Sequence, residues 1–523
     1  MKTKRRYGQY FTEETIAGYM VSLISHPRDC RVLEPSCGAG VFLAKLSEKG
    51  FTGSRGYEID PALACGFGNV VHQSFLSVPT EERYDVVIGN PPYIRWKNLE
   101  AELKEELADN PLWNRYFNSL CDYLFIFILK SIEHLDEGGE LILICSDYWM
   151  NSTHSQSLRN YMVGHGYFER IYHFREAPLF EGVNASFVIF KYIKTENSHK
   201  EPISLLTYRE KGKPTMEALM DESCFDHEKI PQFRQNCRWL LATEEMQEEL
   251  QRFEDVCVKR TNLFGNELSR VGDVCDIGNG MVSGLDAAFR LKEEVVEELS
   301  EKERACTIPV LKAKNLGQYK FASSSRYIYM PQGVKVENFP EEYPHFFAQL
   351  QPYRDELEKR YSYGRELPYW EFAFPRSKSL FERQGAKIFV PCKERISHKS
   401  YFRFCYAPQG YYPLQDVTAI VRKVGCMESV EYILAYLNSR YVYDWLRFNG
   451  IVKGEIVEFS EAPVASIPFR KIDWSRGKEV EIHDSITEAV RNFVSGQSVQ
   501  IKDVVESNLE RLMHGEYKLQ ETA

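Results

Sequence analysis

The chain has 523 residues, 43% apolar and 27% charged, the balance of a soluble globular protein, and its length is too great for one ordinary core, so two or three domains are expected. The net charge of −10 argues mildly against a nucleic-acid partner, although phosphate binding needs only a local basic surface. Thirteen cysteines without a CxxC pair read as reduced thiols of an intracellular protein rather than a disulfide framework or a zinc site; the N-terminus "MKTKRRYGQYF" has no apolar h-region, and the densest apolar run, "YLFIFIL" at Tyr123–Leu129, is too short to span a membrane.

From Arg31 to about Tyr192 short apolar runs alternate with helical stretches. "RVLEPSCGAG" predicts a strand entering a Gly-containing turn, and "VFLAKLSEKG" an amphipathic helix stopped by Gly50. "GSRGYEID" and "YDVVIGN" predict further strands, and "GELILICS" another after the turn Asp136–Gly139. "RIYHF" and "ASFVIFKYI" follow. This alternation predicts an α/β fold with a doubly wound, mostly parallel sheet, whose ligands sit beyond the carboxyl ends of the strands. After Lys194 the polar "KTENSHKEP" reads as the start of a linker, and "EEMQEELQRFEDV" as a connecting helix. The expected domains are 1–245, with linker from about 195, and a mixed α+β unit at 246–523, rich in Tyr, Phe, Gly and Pro.

Three strand ends carry chemistry. "LEPSCGAGVF" places Glu34 before a turn with Gly38 and Gly40, where a ligand can approach the backbone and the following helix offers unpaired N–H groups. The spacing is not the GxGxxG fingerprint, and alone it is a common corner. "GYEID" puts Glu58 at the next strand end, where a carboxylate can accept both hydroxyls of a ribose. "NPPY" supplies the Asn90 side-chain carbonyl and the Pro91 backbone carbonyl, held by successive prolines so that two acceptors converge on one –NH₂ donor, with Tyr93 as a flat stacking face. Together these suit an adenosine-bearing cofactor beside an amine-bearing acceptor.

With that order, "GQYFTEETIAGYMVSLI", "VLEPSCGAGVF", "GYEID" and "NPPY" resemble the motifs of the gamma-class (TaqI-like) type II N6-adenine DNA methyltransferases of restriction–modification systems, over roughly residues 7–195. The resemblance implies a Rossmann-like class I S-adenosylmethionine-dependent catalytic domain followed by a target-recognition domain. It implies that Thr12 contacts the methionine carboxylate, that Glu34, Pro35, Ser36, Cys37, Gly38 and Gly40 hold the methionyl end, and that Glu58 and Ile59 meet the ribose. Ser74, ahead of Phe75, stands where the family usually has an Asp for the adenine amino group, which leaves that contact to Ser74 or Gln73. Asp122-Tyr123 matches a further family segment, and "EAPLFEGVNASFVIF" the late motif in which an aromatic, here Phe180, packs on the target base. Asn90, Pro91, Pro92 and Tyr93 are the implied catalytic set, with Asn90 and Pro92 also beside the cofactor.

The implied reaction moves a methyl group from S-adenosyl-L-methionine to the N6 amine of an adenine flipped out of double-stranded DNA, leaving S-adenosyl-L-homocysteine, with no metal. The charged helix in Ile94–Asn118 is expected as a flap over the substrate. In the second half, Lys312, Lys314, Asn315, Lys393, Arg395, Lys399 and Arg403 are the candidates to meet phosphates or base edges. The expected setting is the bacterial or archaeal cell interior, with a separate restriction endonuclease or none, since no nuclease pattern precedes the first motif. The same amide grip also serves RNA adenine or a protein glutamine amide, and these remain the alternatives; a relic fold that only binds DNA is disfavoured by the intact tetrad.

Overall fold

Apolar strand runs and amphipathic helices fold in the first half around one nine-stranded sheet of order β3-β2-β1-β4-β5-β7-β6-β8-β9. The computed structural model describes residues 10–63, 66–183, 185–262, 265–332, 336–397, 399–497 and 500–515. Gly8 and Gln9 of the upstream motif, Asn184 of the late motif and His398 of the basic stretch lie outside them. The chain divides into two compact units, Met1–Gln247 and Glu248–Ala523, with the boundary inside the helix Glu244–Val256.

The strands are β1 (Arg31–Glu34), β2 (Gly53–Tyr57), β3 (Val70–Val71), β4 (Tyr84–Gly89), β5 (Leu135–Ser146), β6 (Gly166–His173), β7 (Phe187–Lys194), β8 (Ile203–Tyr208) and β9 (Phe225–Ile230). β3 through β5 are parallel, β7 runs antiparallel between β5 and β6, and β9 is antiparallel to β8. The sheet is therefore Rossmann-like at its centre and mixed at one edge. Val86, Val87 and Ile88 are wholly buried, as a central strand covered on both faces requires. Two expectations change. The stretch from about 195, expected as linker, instead adds β8 and β9, whose buried Ile203, Leu205 and Phe225 complete the sheet edge. The turn Asp136–Gly139 does not precede β5 but bulges out of it, because Tyr84 pairs with Leu135 and Val86 already with Glu140.

The helices that position the site are α1 (Glu14–Ser22), α2 (Val41–Glu48), α3 (Ala101–Ala108), α4 (Pro111–Tyr116) and α5 (Tyr123–Glu133). "YLFIFIL" lies in α5, buried all round and capped by Asp122, whose carboxylate accepts from Leu124 N at 3.1 Å. Among the described residues no helix is long and apolar enough to cross a membrane. Gly166 opens β6 where a Cβ would stand 2.1 Å from the Ile193 carbonyl and 2.6 Å from the Tyr192 hydroxyl. Gly166→Ala is thus expected to cost about 3 kcal/mol by forcing the β6–β7 ladder apart, measured by denaturant unfolding; a wild-type midpoint would refute the packing argument.

The second unit, taken by itself, is α+β. A four-stranded sheet orders Cys275–Asn279, Val417–Arg422, Lys387–Pro391 and Cys405–Ala407, accompanied by smaller sheets and by helices that include Val430–Leu437, Gly477–Val494 and Ile501–His514.

Candidate active site

The sheet order sets β1 between β2 and β4, so Glu34, Glu58 and Asn90 emerge at neighbouring strand ends. The turn after β1 depends on glycine: Gly38 (φ 53°) and Gly40 (φ 82°) are left-handed, and Gly40 caps α2. Cys37 N donates to the Tyr57 carbonyl at 2.9 Å and Gly38 N to Glu58 Oε2 at 2.8 Å, tying this turn to the end of β2. Glu58 Oε1 in turn accepts from Asp60 N at 2.9 Å. The Ser36 hydroxyl donates to the Asn90 carbonyl at 3.2 Å, so three strand ends are laced into one rim.

Beside this rim lies a solvent-open cleft lined by residues from all three strand ends. Pro35, Ser36, Gly38, Glu58, Asn90 and Pro92 present its polar and backbone surface. Ile59, Phe75, Leu103, Tyr123 and Phe127 give it an apolar wall. Ser74 also lines it; its oxygen accepts from Leu76 N at 3.2 Å, capping a short 3₁₀ turn. Leu103 belongs to the charged stretch expected as a flap. That stretch is a packed wall: Leu103, Leu107 and Trp113 are buried, and Trp96 stacks on Trp113 at 5.5 Å.

Glu34 is 1% exposed, and its Oε2 has no hydrogen-bond partner among the described residues. Burial, reinforced by the Glu58 charge and opposed by a hydrogen bond from the Leu43 backbone, holds its carboxyl well above the usual range. Glu34 itself does not line the cavity, but its chain neighbours Pro35 and Ser36 do, and an unpaired buried carboxylate oxygen is a ready acceptor for a cation.

Asn90 is held at both ends of its amide. Nδ2 donates to the Tyr10 carbonyl at 2.8 Å and to Thr12 Oγ1 at 3.1 Å, and Oδ1 accepts from the Tyr93 hydroxyl. That hydroxyl also lies 2.7 Å from the Ile144 carbonyl, and burial raises its pKa, so it stays a donor. Tyr93 belongs to a ring cluster with Tyr10 (6.0 Å) and Phe187 (6.4 Å), and Phe187 meets Phe180 at 4.8 Å. Phe180, expected to offer its face to a base, is 4% exposed. Its apolar neighbours draw it into the core beneath Tyr10, so it supports the cluster rather than an open surface. Tyr10 and Phe11 were not among the site residues expected from the sequence. Both lie in the quoted "GQYFT" and line the cavity, with Phe11 half exposed and its ring beside Gly38.

In the second unit, Lys312 is ion-paired with Asp286 and with Asp416 (2.9 Å). Arg403 and Lys399 both meet buried Glu394, and Arg403 also donates to the carbonyls of Ala313 and Leu316. Lys312, Lys399 and Arg403, expected at phosphates or base edges, are thus each engaged by carboxylates within this unit. Asn315 donates to Ser323 Oγ at 2.6 Å, Arg395 lies 3.7 Å from Glu455, and Lys314 and Lys393 are exposed.

Comparisons with known proteins found relatives over nearly the whole chain. A family model described as Eco57I restriction-modification methylase matches residues 63–180. The type II methyltransferase M.HindII of Haemophilus influenzae is 44% identical, with 97% of each chain covered, and M.HincII of Haemophilus influenzae is 41% identical over 97% of each. The type IIL restriction-modification enzyme MmeI, solved in complex with DNA, shares the fold at a TM-score of 0.57 and 10% identity, over 96% of this chain and 71% of that one.

Proposed function

The chain belongs to the type II methyltransferases of restriction–modification systems, and from that footing we propose that it transfers a methyl group from S-adenosyl-L-methionine to the N6 amine of an adenine flipped out of double-stranded DNA. The observation that carries this reading is the Asn90 amide, whose nitrogen is held by Tyr10 and Thr12 so that its oxygen is the end able to accept a hydrogen bond from an incoming amine once the Tyr93 hydroxyl turns to the Ile144 carbonyl.

The cavity suits the cofactor. The oxygen of Glu34 without a partner among the described residues answers its cationic methionyl end, Pro35, Ser36 and Gly38 give close backbone approach in a turn that Cys37 and Gly40 complete, and Glu58 with Ile59 suits the ribose. The apolar wall at Phe75 suits a purine, with Ser74 in place of the usual acid. When bound, S-adenosylmethionine supplies an electrophilic methyl group on sulfur. Asn90 Oδ1 and the Pro91 carbonyl accept from the target amine, which localises its lone pair toward attack. The Tyr93 hydroxyl, with one proton and two acceptors, turns to the Ile144 carbonyl as Oδ1 takes up the amine. Pro92 stiffens the loop and the Tyr93 ring flanks the base, which must leave the duplex to reach this depth.

Residues 246–523 serve as the target-recognition domain in this reading, the protein working in the cell interior with or without a separate cognate endonuclease. Lys314 and Lys393 are its exposed candidates for phosphate. Lys314→Ala and Lys393→Ala are each expected to weaken DNA binding at every sequence and to reduce the slope of log K against log salt by about 1. Lys312→Ala should instead lower thermal stability with an unchanged slope. Sequencing adenine methylation in DNA from cells expressing the protein tests the whole reading: N6-methyladenine in one short motif supports it, and unmodified DNA refutes it.

A further inference from the structure

We infer that Thr12 is a positioning residue for methyl transfer, acting through the plane of the Asn90 amide; the inference rests on the function proposed above. An amide nitrogen carries two protons in the amide plane. At Asn90 one goes to the Tyr10 carbonyl at 2.8 Å and the other to Thr12 Oγ1 at 3.1 Å. The Tyr10 carbonyl can only accept, so it decides which end of the amide is nitrogen. Once the Tyr93 hydroxyl has turned from Oδ1 to the Ile144 carbonyl, a single hydrogen bond at Nδ2 would still let the amide rock about χ2, a broad torsion. The second bond fixes the plane, and with it the direction of the Oδ1 lone pairs. Thr12 is 9% exposed and stands just ahead of α1, whose Ile16, Ala17 and Met20 are buried, so its oxygen is carried on a rigid support. The backbone of Asn90 is held separately by Ser36 Oγ at 3.2 Å, which leaves the side-chain plane as the freedom Thr12 removes.

The resemblance to the methyltransferase family assigns Thr12 to the cofactor carboxylate, where its loss would appear as weaker cofactor binding. A positioning role appears in the rate at saturating cofactor. The variants are Thr12→Val, which keeps the shape and removes the oxygen, and Thr12→Ser, which restores it. Thr12→Ala removes the oxygen without the second methyl and replaces valine if the melting temperature shows that valine disturbs the packing. Single-turnover incorporation of labelled methyl into unmethylated plasmid DNA is measured at saturating S-adenosylmethionine, with cofactor Kd from calorimetry. Thr12→Val is expected to slow transfer about tenfold, the worth of one hydrogen bond, with Kd within about twofold and Thr12→Ser near wild type. Transfer at the wild-type rate, or a loss confined to cofactor Kd, would overturn the inference. A wild-type protein that methylates no adenine defeats the parent reading and this inference with it, whereas an active wild type matched by Thr12→Val defeats this inference alone.

Discussion

Asn90→Ala is expected to cut single-turnover methyl transfer by at least about a thousandfold while leaving S-adenosylmethionine affinity within a few-fold of wild type. The side chain contributes the acceptor whose hydrogen bond grows as the target nitrogen begins to bond to carbon, so its removal acts on the transition state more than on the ground state. The cofactor side of the rim survives the change: Glu58 keeps its bonds from Gly38 N and Asp60 N, and Ser36 still reaches the backbone carbonyl of residue 90. Tyr93 loses Oδ1 but retains the Ile144 carbonyl, which limits the cost in folding. Rapid-quench transfer and calorimetric cofactor binding on the same preparation check both halves. Turnover near wild type would remove Asn90 from the chemistry; a parallel collapse of cofactor affinity would mean that the side chain holds the cavity together.

What the sequence disclosed was the local chemistry. Glu34 and Asn90 end apolar strand runs and Glu58 ends the strand of "GSRGYEID", and a parallel α/β sheet gathers such ends by rule, so their convergence was legible in the sequence. The glycines at 38 and 40 announced their turn because left-handed backbone selects that residue. Hydrogen bonds that cross long stretches of chain were not legible. Nothing in "GQYFT" or "NPPY" alone says that Tyr10 O and Thr12 Oγ1 take the protons of an amide some eighty positions away. Phe180 looked like a stacking face because side-chain burial follows tertiary packing, and Phe187 covers it. Strands β8 and β9 were hidden behind a polar, turn-prone lead-in: β8 is buried between β6 and β9, and β9, at the sheet edge, buries only its two end residues. The ion pairs of the second unit were hidden for a related reason: type and spacing showed Lys312 and Arg403 as cations but not the carboxylates facing them.

Glu34→Gln should trade stability against cofactor affinity, and pH exposes the trade. In the empty protein, burial holds the Glu34 carboxyl well above its ordinary value of 4.5. A carboxyl with a raised folded pKa contributes its stability below the unfolded pKa and loses it as pH rises toward the folded value, because ionisation is then easier in the unfolded chain. Wild type and Glu34→Gln should therefore differ least below about pH 4, and the variant should gain on wild type as pH rises toward about pH 8, where a neutral amide escapes the cost of a buried charge. A cationic ligand reverses that preference, since a positive charge at Oε2 favours the carboxylate and lowers its pKa. Cofactor binding to wild type should then release up to about one proton, and affinity should rise with pH between the bound and empty pKa values. Glu34→Gln should bind at least about tenfold more weakly and without that proton release, because an amide cannot pair the cation. Calorimetry in two buffers of different ionisation enthalpy reads the proton count directly. Equal buffer dependence in wild type and variant would place the cofactor's cation elsewhere, and the buried oxygen of Glu34 would then be a structural burden whose amide replacement stabilises the protein at no cost to binding.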